Sequence, residues 1–156
     1  MSDLAVETTG DEELARAMRH IAEQLSGGVA MYAWATDASG LMLREAKIKA
    51  PADTGAMRSR FLMAVLQKPN TIEAVAGSKQ AVAFWQEEGT PPHWPPPGSM
   101  EIWAKRHGGW TDWTIRRHIG EHGTKAKWMF RDALEENIHT IFEWLGNTIG
   151  RILTNA

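Results

Sequence analysis

A chain of 156 residues that is 43% hydrophobic and 23% charged has the make-up of one folded domain with a core of its own, which excludes disorder as the default state. A formal net charge of -2 excludes a surface that grips nucleic acid all over, while leaving room for local basic patches. The absence of cysteine excludes disulfides, thiolate chemistry and zinc held by sulfur.

The N-terminal run Met1-Ser2-Asp3-Leu4-Ala5-Val6-Glu7 lacks the basic flank and apolar segment of a signal peptide, and no stretch is apolar over the width of a bilayer. A cytosolic product without a membrane partner is expected. Residues 1–10 are acidic and polar without periodicity and read as a disordered arm; residues 11–156 read as a single domain. From Asp11, Leu14, Met18, Ile21 and Leu25 recur at helical spacing behind three acidic residues, which predicts a helix ended or kinked at Ser26-Gly27-Gly28. A second helical pattern runs through Ala30, Trp34, Ala38, Leu41 and Ile48 and should stop near Lys49 or Ala50, because a residue before proline avoids the helical region.

Asp53-Thr54-Gly55 predicts a turn, with side chains that bond nearby backbone and a glycine free to take positive φ. Phe61–Leu66 is apolar on both faces, Lys68-Pro69-Asn70 breaks the run, and Thr71–Ala76 resumes it, so an antiparallel hairpin is expected. Ala81–Glu87 is too short for periodicity to decide between strand and helix. Pro91–Pro97 must be stiff and extended, since proline fixes φ and cannot donate to a ladder. Ser99 is placed to cap a short helix through Ile102 and Trp103 closed by Gly108-Gly109, and Thr111 to cap another closed by Gly123. The last helix carries one apolar stripe through Phe130, Leu134, Ile138, Ile141, Leu145, Ile149 and Ile152. The fold class is therefore α+β, a small antiparallel sheet flanked by N-terminal helices and a long C-terminal helix.

Eight tryptophans stand against one tyrosine. Trp85, Trp94, Trp103, Trp110 and Trp113 crowd one stretch, as core residues or as anchors at subunit contacts. His118-Ile119-Gly120-Glu121-His122 has the H-x-x-E-H spacing that puts two histidines on one helical face, with Glu121 able to act on a metal-bound water. Gly120 within that helix, Gly123 just after it and the short remaining chain count against such a site, so neither a metal nor a cofactor is called for. The basic pairs Arg58 with Arg60, Lys105 with Arg106, Arg116 with Arg117 and Lys125 with Lys127 are scattered among acids; they form either a solvated face or one that meets phosphates. The chain contains no G-x-S-x-G, P-loop or dinucleotide fingerprint.

Two motifs have related wording: Glu88-Gly89-Thr90-Pro91-Pro92-His93-Trp94 and His122-Gly123-Thr124-Lys125-Ala126-Lys127-Trp128. Their order after Lys49-Ala50-Pro51-Ala52-Asp53-Thr54-Gly55-Ala56-Met57-Arg58, the hairpin and Val82–Thr90 resembles the tailed-bacteriophage neck and minor tail protein family, also described as head-tail joining or tail-completion proteins. The resemblance covers residues 11–150, with the Pro/Trp-rich segment near 91–110 as an insertion. The sequence departs from the family's pattern at Lys127 and Trp128, which stand where the family often has proline, and at Trp85. The resemblance implies a non-enzymatic virion protein of a phage, prophage or gene transfer particle. Copies would form a ring at the neck, touching head-closure or connector proteins on one side and tail terminator or tail tube proteins on the other, with DNA passing through unread. Assembly would take place in the host cytoplasm.

On this reading Asp53, Thr54, Gly55, Gly89, Thr90, Gly123 and Thr124 serve turn geometry. Trp85, Glu88, Pro91, Pro92, Trp94, Pro95, Pro96, Pro97 and Trp128 are candidate interface residues, and Arg58, Arg60, Arg116 and Arg117 are candidates to face DNA. A small nucleic-acid-binding module, or a zinc hydrolase built on His118, Glu121 and His122, are the alternatives.

Overall fold

A computed structural model describes residues 11–69 and 71–155, so the arm expected over 1–10 lies outside the described residues. The elements run α1 (Asp11–Leu25), α2 (Val29–Lys49), a 3-10 turn (Arg58–Arg60), β1 (Phe61–Lys68), β2 (Thr71–Ser78), α3 (Ala81–Glu88), α4 (Glu101–His107), α5 (Asp112–His122) and α6 (Met129–Thr154). β1 and β2 form a two-stranded sheet, and the class is α+β. Ala81–Glu88 resolves as helix. The chain divides into two units, neither continuous in sequence: one takes the stretch to Leu41, Met63–Ala76 and the stretch from Glu136, the other Met42–Leu62 and Gly77–Glu135.

In the first unit α2 begins on the Gly28 carbonyl, which accepts from Tyr32 N at 3.0 Å. Its small residues Ala35, Ala38 and Ser39 are buried, as are Thr148 and Ile152 of α6. Ser39 Oγ donates back to Ala35 O at 2.8 Å, and the Trp34 indole donates to Ile141 O at 3.1 Å. Gln67 of β1 donates to Gly27 O at 3.0 Å, which ties the hairpin to the turn between α1 and α2.

The second unit packs Phe61, Met129 and the alanines Ala46, Ala50, Ala83 and Ala133, with Leu43, Met57 and Phe130 around them. The Phe61 and Phe130 rings lie 4.8 Å apart. Four of the six buried positions carry no side chain beyond Cβ, so Phe61 and Met129 fill the space between them.

One sequence expectation, the cap at Ser99, is corrected, and the apolar stripe of α6 is buried or half-buried at five of its seven residues, Phe130, Ile141, Leu145, Ile149 and Ile152. The buried line of α6 runs through Met129, Ala133, Thr148 and Ile152, while Leu134 and Ile138 are exposed. Leu134 follows Ala133 by one residue, about 100° round the helix, so the apolar stripe and the buried face do not coincide along the first turns. Ser99 does not cap α4, whose N-cap is Met100 without a side-chain bond. Ser99 Oγ donates to Pro96 O at 2.7 Å, and the Asp112 carboxylate accepts instead from Gly98 N at 3.1 Å and Met100 N at 2.9 Å. Thr111 does cap α5, in a reciprocal box with Thr114.

A candidate assembly surface on paired Gly-Thr joints

The two Gly-Thr motifs meet. Thr90 and Thr124 form an antiparallel bridge, exchanging N–H to carbonyl bonds of 3.0 Å in each direction, and their hydroxyls lie 2.9 Å apart. Gly89 and Gly123 take φ 73, ψ -175 and φ 71, ψ -157, a region that glycine alone populates readily. Each also lies against the other motif's backbone: a Cβ on Gly89 would come 2.7 Å from Ala126 N, and one on Gly123 2.8 Å from the Pro91 carbonyl carbon. The likeness of wording seen in the sequence corresponds to two segments facing each other across one isolated bridge.

Beside it, the end of α3 holds the start of α6. Gln86 O and Glu87 O accept from Lys127 N at 2.8 Å and Trp128 N at 3.3 Å. The Glu87 carboxylate accepts from Phe130 N at 3.0 Å and Arg131 N at 2.9 Å. A carboxylate on the first free N–H groups of a helix satisfies donors with no intrahelical partner and meets the positive end of the dipole. Glu87 was legible only as part of a motif; its capping role depends on a residue 43 positions later. Trp128 takes φ 47, with Arg131 stacked over its ring at 4.8 Å.

The Pro/Trp strap is stitched to α5. His93 N donates to Ile119 O at 3.3 Å, Arg116 Nε donates to Pro95 O at 2.8 Å, and the Trp94 indole lies over Gly120, where a Cβ would come 2.6 Å from the ring. Gly120 therefore seats an aromatic ring. Trp94 and Trp113 stack at 5.9 Å, and both stay more than half exposed. Pro95 is buried, whereas Pro91, Pro92, Pro96 and Pro97 are exposed. Trp85 and Glu88 are also exposed.

Asp53 does more than shape its turn. Its carboxylate pairs with Arg106 at 2.7 Å and approaches His107 at 3.3 Å, beside a pocket of about 220 Å³ reaching Met57, Gln86 and Trp103. Thr54 Oγ1 accepts from Ala56 N at 3.3 Å, and Gly55 takes φ 77. Of the arginines, Arg58 donates its guanidinium to Ala50 O at the end of α2, and Arg116 is committed to Pro95 O and Asp112. Arg60 is exposed, and Arg117 is exposed but paired with Glu121 at 2.8 Å. The four do not gather through a common partner.

His118 and His122 stack at 4.8 Å on the exposed side of α5. The hydrogen bond from Arg117 leads the influences that hold the Glu121 carboxyl below its ordinary range. Among the described residues no three His, Cys, Asp or Glu side chains gather as metal ligands. In the first unit an open groove of about 860 Å³ runs past His20, Trp34, Asp37, Trp144 and Arg151. Nothing in the sequence marked it, because its walls come from α1, α2 and α6.

Desolvation pushes the Asp112 carboxyl up, but hydrogen bonds from Met100 N and Gly98 N, with Arg116 beside them, outweigh it and leave the group below its ordinary value. Its contribution is therefore present above about pH 4, the ordinary aspartate value, and lost as pH falls through the lowered one. An acid titration followed by tryptophan fluorescence should show this step near the strap, and Asp112→Asn should remove it.

No family model, curated protein or solved structure matches the chain.

Proposed function

We propose that this chain is a non-enzymatic structural subunit of a tailed phage, prophage or gene transfer particle, forming a ring at the neck that joins head to tail. One observation carries the reading: the motif residues behind the resemblance are engaged in joints within the chain, while large aromatic side chains beside them remain exposed. The glycines, threonines and Glu87 close contacts at Thr90, Thr124 and the start of α6. Trp85, Trp94, Trp110 and Trp113 each expose more than half of their surface, and tryptophan is the residue type most enriched among those that dominate subunit contacts. A ring needs two different surfaces that close by rotation, with about 800 Å² buried per partner in a standard contact. DNA would pass through the lumen, with Arg60 and Arg117 the exposed cations among the candidates.

Quantitative mass spectrometry of gradient-purified particles tests this. The chain is expected at a low, fixed copy number relative to the major capsid protein, surviving a high-salt wash. Absence from intact tailed particles would overturn the reading.

A further inference from the structure

A neck subunit makes no use of His118-Ile119-Gly120-Glu121-His122. The spacing has meaning only on an unbroken helix, and the glycine at its centre put that in question. In the structure α5 runs through it from Asp112 to His122, and Gly120 is accounted for by Trp94, whose ring a Cβ would meet at 2.6 Å. His118 and His122 therefore stand about one turn apart on one face of a continuous helix. Both are exposed, with ring centres 4.8 Å apart.

The pair is arranged to offer nitrogen lone pairs. His122 Nδ1 lies 3.3 Å from His118 O; the tautomer that donates this bond carries its proton on Nδ1 and leaves the Nε2 lone pair free. A backbone carbonyl on the other ring nitrogen is a common way of orienting a metal-ligating histidine. Two metal–nitrogen bonds of about 2.0–2.1 Å at a tetrahedral angle hold their nitrogens about 3.3 Å apart. Ring nitrogens sit on the rims of two rings centred 4.8 Å apart, so rotation of these exposed side chains brings one nitrogen from each to that separation.

Charge favours a cation at the same place. The pair flanks the last turn of α5, near the negative end of its dipole. Arg117 is paired with Glu121 at 2.8 Å, and the Glu121 carboxyl, held below its ordinary range, has both imidazoles among the charges acting on it. Among the described residues no third ligand joins the two histidines, which separates this arrangement from a catalytic zinc site with three protein ligands.

We propose that His118 and His122 chelate one divalent first-row transition-metal ion on the surface of α5, its remaining positions left to solvent. Two imidazoles suit copper, nickel and zinc, with copper held most tightly; calcium and magnesium, which take oxygen ligands, are not bound. The site lies within one chain and does not depend on ring formation.

Isothermal titration calorimetry of the untagged full chain with nickel chloride, in a buffer that does not chelate metal, tests this. One Ni2+ per chain is expected for wild type and for His20→Ala, a control on α1. His118→Ala and His122→Ala, at exposed helix positions that alanine tolerates, are each expected to weaken binding by about tenfold or more, because the second bond of a chelate is intramolecular and is lost with either ring. No binding by wild type, or unchanged binding by both variants, would overturn the proposal. A second measurement needs no variant: proton–nitrogen correlation spectra of the histidine rings of wild type under substoichiometric Zn2+. Of the six histidines, His118 and His122 are expected to shift together and before the others; a first response at any other histidine would overturn the assignment.

Discussion

Gly123→Ala is expected to lower the unfolding free energy by about 3 kcal/mol or more, shifting the melting temperature down by about 6–12 °C for a chain of this size. Two effects add. At φ 71, ψ -157 the backbone occupies a region where any side chain costs about 1–3 kcal/mol. The new methyl would also lie 2.8 Å from the Pro91 carbonyl carbon and 3.0 Å from Pro92 N, and the prolines stiffen the segment that would have to move. Gly89→Ala should behave alike, with its methyl 2.7 Å from Ala126 N. Because both open one joint, the double variant should fall short of the sum of the two. Gly55→Ala separates the effects: φ is 77 but nothing lies within 4 Å of its Cβ, so only the conformational cost remains. Urea unfolding of the three variants checks this; equal losses at Gly55 and Gly123 would show that close approach at the joint contributes nothing.

Phe61→Ala should cost about 3–5 kcal/mol, toward the upper end of the range for large-to-small core changes. Phe61 is 3% exposed, and most of the buried residues packed with it are alanines. Alanine has no rotamer with which to refill a cavity, so the space left by the ring would stay open and Phe130, 4.8 Å away, would lose its partner. Phe61→Leu, which retains most of the volume, should cost clearly less. Thermal and urea unfolding with an unchanged m-value would confirm a cavity effect; a loss under about 1 kcal/mol would show that the core can collapse around the site.

Much of the fold was legible because its signals are local. The apolar spacing of Leu14, Met18, Ile21 and Leu25 marks α1, the proline at 51 marks the end of α2, and Thr111 and Gly123 bracket α5 through cap geometry that neighbouring residues settle. The hairpin could be read from two apolar runs broken at Pro69. The failures were contests that local chemistry cannot judge. Ser99 had the right side chain for a cap, but Asp112, brought in by the turn through Gly108-Gly109, bonds Gly98 N and Met100 N with a charged group, a stronger acceptor than a hydroxyl. Ala81–Glu87 was open between strand and helix, and the structure resolves it as helix with Ala83 buried.

The candidate site divides along the same line. Which residues are special could be read without coordinates: the glycines that must take positive φ, the threonines beside them, the prolines and the crowd of tryptophans. What those residues do was decided by tertiary structure alone. Thr90 finds Thr124 across 34 positions, Glu87 finds the start of α6, Arg58 and Arg116 are drawn to backbone carbonyls, and Gly120 makes room for Trp94. Each depends on distant segments meeting within hydrogen-bond or van der Waals reach. A side chain carries its own conformational and polar preferences wherever it stands; its partner is set by where the rest of the chain goes.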